Sequence, residues 1–85
     1  MGSPPATFND DISNWDTSNV TSMQATFQDA TSFNQDISTW DVSNVINMYR
    51  LFFNATAFNQ NIGKWDTSSV ENMSETFRNA RVFNY

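Results

Sequence analysis

A single hexapeptide is written three times along the chain at one fixed interval. Trp15-Asp16-Thr17-Ser18-Asn19-Val20 returns as Trp40-Asp41-Val42-Ser43-Asn44-Val45 and as Trp65-Asp66-Thr67-Ser68-Ser69-Val70, 25 residues apart each time. Ten columns hold one residue in all three copies: Phe8, Asn9, Ile12, Trp15, Asp16, Ser18, Val20, Met23, Phe27 and Ala30, with counterparts 25 and 50 positions on. A period of this size means a repeat architecture, in which a unit that cannot bury its apolar face alone stacks on its neighbours. The coils run over 8–32, 33–57 and 58–82, a partial coil over 83–85 opens a fourth, and 8–85 reads as a single repeat domain. Residues 1–7 read as a lead-in, with Met1-Gly2-Ser3 a cloning scar and Pro4-Pro5 extended, so the chain is expected to be a piece of something longer.

Within a unit the second half has helical spacing. Val20, Met23, Phe27 and Ala30 follow i, i+3, i+7, i+10, as do Val45, Met48, Phe52, Ala55 and Val70, Met73, Phe77, Ala80. This predicts helices near 18–30, 43–55 and 68–80. Two N-caps compete in each unit. Asp16, Asp41 and Asp66 would place the preceding Trp in a hydrophobic staple, whereas Ser18, Ser43 and Ser68 start two residues later, with Ser68 and Glu71 forming a capping box. The first half, Phe33 to Trp40 in the middle copy, is too polar for a long strand and predicts a turn at Asn34 and a short extended segment over 36–41. Copies of that segment are expected to pair in parallel. The predicted fold is thus α/β: a short right-handed solenoid, one extended or β segment plus one helix per coil.

The apolar columns are the expected core: Phe8, Ile12, Trp15, Val20, Met23 and Phe27; then Phe33, Ile37, Trp40, Val45, Met48 and Phe52; then Phe58, Ile62, Trp65, Val70, Met73, Phe77 and finally Phe83. Asn9, Asn34, Asn59 and Asn84 predict an amide ladder that satisfies turn backbone. One stretch departs from the period. The middle unit carries Ile46, Tyr49 and Phe53 where the first has Thr21, Gln24 and Gln28 and the third Glu71, Ser74 and Arg78. That second apolar stripe is either a wedge between neighbours or an exposed interaction site.

The motif Phe-Asn-Gln-Asp-Ile-Ser-x-Trp-Asp-x-Ser-Asn-Val, followed by Met, Phe and Ala, resembles a bacterial surface-protein repeat of about 25 residues. That repeat occurs in BspA-like proteins and mycoplasma-type lipoproteins and is usually grouped with the leucine-rich repeats. The resemblance covers residues 8–85 and implies a cell-surface or secreted protein engaged in adhesion or host contact. Asn61 and Gly63 depart from the Asp and Ser of the other units, which predicts a looser third segment.

Several function classes fall away on chemistry. There is no histidine and no cysteine, hence no usual general base, no thiolate nucleophile and no disulfide. No catalytic residue and no cofactor site is expected, and the carboxylates recur by period without converging. A net charge of −5, with Arg50, Lys64, Arg78 and Arg81 scattered, argues against nucleic acid. No apolar run reaches the roughly twenty residues of a membrane span. The column Asp16, Asp41, Asp66 reads as helix caps, with a cation held between coils as its alternative. The expected role is a non-catalytic protein-interaction or adhesion segment. A purely structural spacer and a calcium- or glycan-binding module are the alternatives, the protein partner is open, and the uncapped ends lead to an expected homo-oligomer.

Overall fold

The stretches with helical spacing hide an obstacle in the backbone: two residues with positive φ, four apart, in every unit. The structure is a computed structural model and describes residues 4–83. In it φ is 57° at Ala25 and 62° at Asp29, 55° at Arg50 and 58° at Asn54, 58° at Glu75 and 61° at Asn79. A right-handed helix cannot run through such positions, because left-handed backbone reverses the local winding and costs a residue bearing a Cβ about 1–2 kcal/mol.

Each stretch folds instead as a spiral of overlapping turns, over 23–30, 48–55 and 73–80. In the first, the Thr26, Gln28 and Ala30 amides donate to the carbonyls of Met23, Ala25 and Phe27 at 3.1–3.2 Å. The alternate amides turn away from their own unit. Met23, Ala25, Phe27 and Asp29 donate to Asn47, Tyr49, Leu51 and Phe53 of the next unit at 2.8–2.9 Å. Met48, Arg50, Phe52 and Asn54 repeat this toward Asn72, Ser74, Thr76 and Arg78 at 2.7–3.1 Å. Successive amides therefore alternate between holding a turn and joining two layers, a division of labour that an α-helix does not have.

The α/β solenoid with a helix in each coil is thus overturned. Among the described residues there is no helix over 18–30, 43–55 or 68–80, and β pairing is limited to two isolated parallel bridges, Ser22 with Asn47 and Asn47 with Asn72. Those bridges lie at the start of the spiral, not in the segment 36–41. That segment holds a turn at residues 38–39, closed by Trp40 N–H on Ile37 C=O at 3.1 Å, and a second turn, closed by Val45 N–H on Val42 C=O at 2.9 Å, follows it. The body is nearly isometric, 28 × 27 × 24 Å. The misreading has a simple cause. The buried residues Met23, Thr26, Phe27 and Ala30 sit at i, i+3, i+4, i+7, and a spiral with a left-handed residue every fourth position produces the same period as a helix face.

The three layers stack through their rings. One column runs Phe8, Phe33, Phe58, Phe83 with centroids 5.6, 5.9 and 5.8 Å apart, and a second runs Phe27, Phe52, Phe77 at 5.6 and 5.5 Å. The two columns meet where one unit passes into the next, at 4.1–4.4 Å, in Phe27–Phe33, Phe52–Phe58 and Phe77–Phe83. Offset stacks of this kind add to the burial itself. Most of the best-buried residues belong to the middle layer, including Phe33, Ile37, Trp40, Val45, Met48, Phe52 and Ala55, with Val42 and Leu51 that the period alone did not select; Met23, Ala30 and Phe58 of the neighbouring layers join them. Phe8, Val20, Ile62, Trp65, Val70 and Phe83 are partly buried around this cluster. Trp15, Met73 and Phe77, expected in the core, lie on the outer layers and are 53%, 47% and 38% exposed.

Asparagine and glutamine tie the layers on the opposite side. Asn34 N–H donates to Asn9 Oδ1 and Asn59 N–H to Asn34 Oδ1, both at 2.8 Å. Gln35 and Gln60 Nε2 donate to the same oxygens at 3.1 and 3.0 Å. The ladder position Asn84 lies outside the described residues. Among the described residues no helix is long and apolar enough to cross a membrane.

Candidate functional site

The carboxylates of the repeated hexapeptide start turns, not helices. Asp16, Asp41 and Asp66 accept the N–H of Ser18, Ser43 and Ser68 at 2.9–3.0 Å, and the Ser18 and Ser43 hydroxyls donate to the same oxygen at 2.6 Å. These are Asx turns, in which a side chain mimics the backbone two residues on. The helix-cap reading of Asp16, Asp41, Asp66, Ser18, Ser43 and Ser68 is corrected accordingly: Asp is the acceptor, Ser the donor, and the element begun is a four-residue turn. The same device precedes it, with Asp11, Asp36 and Asn61 accepting from Ser13, Ser38 and Gly63 at 2.9–3.0 Å. The Asn61–Gly63 bond has the same length as its counterparts.

Hydrogen bonding from the Ser43 hydroxyl and amide holds the Asp41 carboxyl below the ordinary carboxylate range, against a small opposing push from Asp16 and Asp66. The serine of each turn does the same for Asp16 and Asp66. Each carboxylate is therefore engaged within its own layer. Among the described residues no group of three or more acidic side chains is placed to hold a metal ion.

The middle-unit stripe divides into two places. Arg50 lies over both the Tyr49 and Phe53 rings, 5.2 and 4.5 Å from their centroids. Its Nε reaches Glu75 Oε2 at 2.5 Å, and the other Glu75 oxygen accepts from Arg78 Nη1 at 2.5 Å. Those guanidinium donors hold the Glu75 carboxyl below its usual range. Tyr49 and Phe53 thus form a half-buried aromatic platform clamped by an ion pair that joins the second and third layers. Ile46 is 43% exposed and lines a shallow open groove with Asn19, Thr21, Asn44, Ser69 and Glu71.

A third feature was not visible in the sequence. An apolar hollow of about 180 Å³ is lined by Met48, Leu51 and Phe52 of the middle layer together with Ile62, Trp65, Met73, Thr76, Phe77 and Phe83.

No curated protein and no solved structure matches the chain. A family model does: residues 3–85 match the family described as Mycoplasma protein of unknown function, DUF285, and the chain belongs to that family.

Proposed function

We propose that this chain is a non-catalytic protein-interaction segment of a bacterial cell-surface or secreted protein. The observation that carries the reading is the outward flank of the middle layer. Ile46 is exposed and Tyr49 and Phe53 are half-buried at columns where the sister layers present Thr, Gln, Ser, Glu and Arg. Exposed apolar and aromatic side chains clustered on a surface are where partners bind. Arg50, held by Glu75, adds a fixed cation between two rings, a combination common at protein interfaces. Membership of the mycoplasma family is compatible with a surface location, and the BspA-like side of the resemblance, with its adhesive role, is part of the proposal.

The test is a binding screen of the purified chain against immobilised extracellular proteins, repeated with Ile46→Asp/Phe53→Asp after its melting temperature is shown to match the parent. A reproducible binder lost in the variant supports the flank as the site. Identical profiles for both proteins, or no binder at all, return the chain to a structural spacer.

A further inference from the structure

Arg50 is the only cation of the middle layer, and it stands with the first layer on one side and the third on the other. Its sister columns hold Ala25 and Glu75. Three contacts fix its guanidinium: the Tyr49 ring at 5.2 Å, the Phe53 ring at 4.5 Å, and Glu75 Oε2, which accepts from Nε at 2.5 Å. The other Glu75 oxygen is engaged by Arg78 Nη1. The two Nη groups of Arg50 find no acceptor among the described residues, and the side chain is 33% exposed. A fixed guanidinium thus offers its outer donors to something beyond the chain.

The charges around it decide what those donors can take. Arg50 and Arg78 are balanced by Glu75 and by Asp29, which accepts from Asn54 Nδ2 at 3.0 Å and is close enough to act on the charge of Arg50. The patch is therefore neutral, on a chain that carries −5. Nucleic acid, heparin or an anionic membrane needs a field of clustered cations, which this flank lacks. A single carboxylate does not, because short directed bonds to a guanidinium hold it. Apolar surface lies on the same layer, with Ile46 43% exposed and Tyr49 and Phe53 half-buried.

Building on the protein-interaction reading of this flank, we infer that its partner presents an acidic segment, an aspartate or glutamate beside an apolar side chain. The carboxylate bonds to the Nη groups of Arg50, and the apolar neighbour packs against Ile46, Tyr49 and Phe53. Glu75 is a positioning residue in this arrangement, since it holds the guanidinium on the two rings through Nε and leaves the outer edge to the ligand. A donor ordered in advance loses less entropy on binding.

The experiment is a selection from a random peptide library on the immobilised full chain, on Arg50→Gln and on Ile46→Asp/Phe53→Asp, all matched to the parent in thermal melting. The parent is expected to enrich peptides with Asp or Glu next to an apolar residue, and Arg50→Gln to enrich apolar peptides without the acid. A selected peptide is then resynthesised with Asn or Gln in place of its acid, which tests the carboxylate with the protein unaltered. Its Kd is expected to rise about tenfold or more. Arg50→Lys, which keeps the charge and loses the planar fork, is expected to weaken the acidic peptide as well. An acidic preference that is absent from the parent or retained by Arg50→Gln, or an amide peptide that binds as the acid does, overturns the inference and leaves the flank as an interaction site. No enrichment at all, or enrichment that survives Ile46→Asp/Phe53→Asp, overturns the interaction reading itself. Arg50-dependent binding of heparin, or Arg50-dependent growth of the parent's own mass with concentration, makes the occupant a polyanion or a second copy and also overturns the inference.

Discussion

Trp40 donates its indole N–H to the carbonyl of Ile12, 28 residues earlier in the chain, at 3.0 Å. The same carbonyl accepts the backbone N–H of Trp15 at 3.1 Å, so one oxygen closes a turn in its own layer and anchors the ring of the next. Trp40 is 4% exposed, lies 6.4 Å from Trp15 and also packs on Phe27. Trp40→Ala is therefore expected to cost about 3–5 kcal/mol, a large share of a stability of roughly 5–15 kcal/mol for a small domain. Trp15→Ala removes a ring already half in water and is expected to cost far less. Urea midpoints measure the difference, and equal shifts in the two variants contradict the stacked arrangement.

The left-handed residues give a prediction whose sign separates a turn spiral from a helix. At Ala25, with φ at 57°, glycine relieves the steric cost of the Cβ, so Ala25→Gly is expected to stabilise the chain by up to about 1 kcal/mol. In a helix the same change destabilises by about 1 kcal/mol. Denaturant titration of the single variant decides between them.

The Asx turns predict an ordering at Asp41. Asp41→Asn keeps an oxygen for the Ser43 amide, 2.9 Å away, and is expected to leave the melting temperature nearly unchanged. Asp41→Ala leaves both Ser43 donors without that acceptor and lowers it by several degrees. Calcium is expected to shift neither protein. A melting temperature of the parent that rises with added calcium would mean the carboxylate column holds a cation.

Acid should weaken the fold through the same carboxylates. Asp11, Asp16, Asp36, Asp41 and Asp66 all titrate below their ordinary range because serine donors hold their charged forms. A depressed folded-state value contributes stability that is full above the unfolded value, about 3.9 for Asp, and is lost as pH falls through the folded value. Stability is therefore expected to decline below about pH 4 by this route. Replacing Asp16, Asp41 and Asp66 together by Asn should flatten the decline, as read from urea midpoints at neutral and acid pH.

The columns were legible because each repeats and each is chemically uniform. Phe33, Ile37, Trp40, Val45, Met48 and Phe52 were expected inside and are there. Burial at Val42 and Leu51 was obscured because their columns hold Thr17 and Thr67, and Thr26 and Thr76, in the sister units. Threonine can be buried here because its hydroxyl finds a carbonyl: Thr76 Oγ1 donates to Met48 and Met73 at 2.9 and 2.7 Å, and Thr17 Oγ1 to Asp41 at 3.0 Å. The backbone path was half written. Asp29, Asn54 and Asn79 are residue types that tolerate left-handed φ, a signal that could have argued against helix. Ala25, Arg50 and Glu75 give no such signal, and their conformation follows from the bonds that their amides make, or would make, with an adjoining layer. The hollow beside Phe77 is lined from two layers, by Met48, Leu51 and Phe52 as well as by Ile62, Met73 and Phe77, and has no residue pattern of its own.

The alternation of amides between turn and neighbour also sets how the chain can change length. A single inserted residue between Met48 and Ala55 exchanges the two classes, turning the Phe52 and Asn54 donors inward and presenting turn-closing amides to carbonyls that are out of phase with them. Two registers fail at once, since the middle layer donates to the third layer and accepts from the first. Insertions of four residues, one full cycle from one left-handed position to the next, restore both the amide alternation and the φ pattern, whereas odd lengths restore neither. The fixed interval of 25 between the copies is in this sense a parity rule on the backbone, imposed before any side chain is chosen.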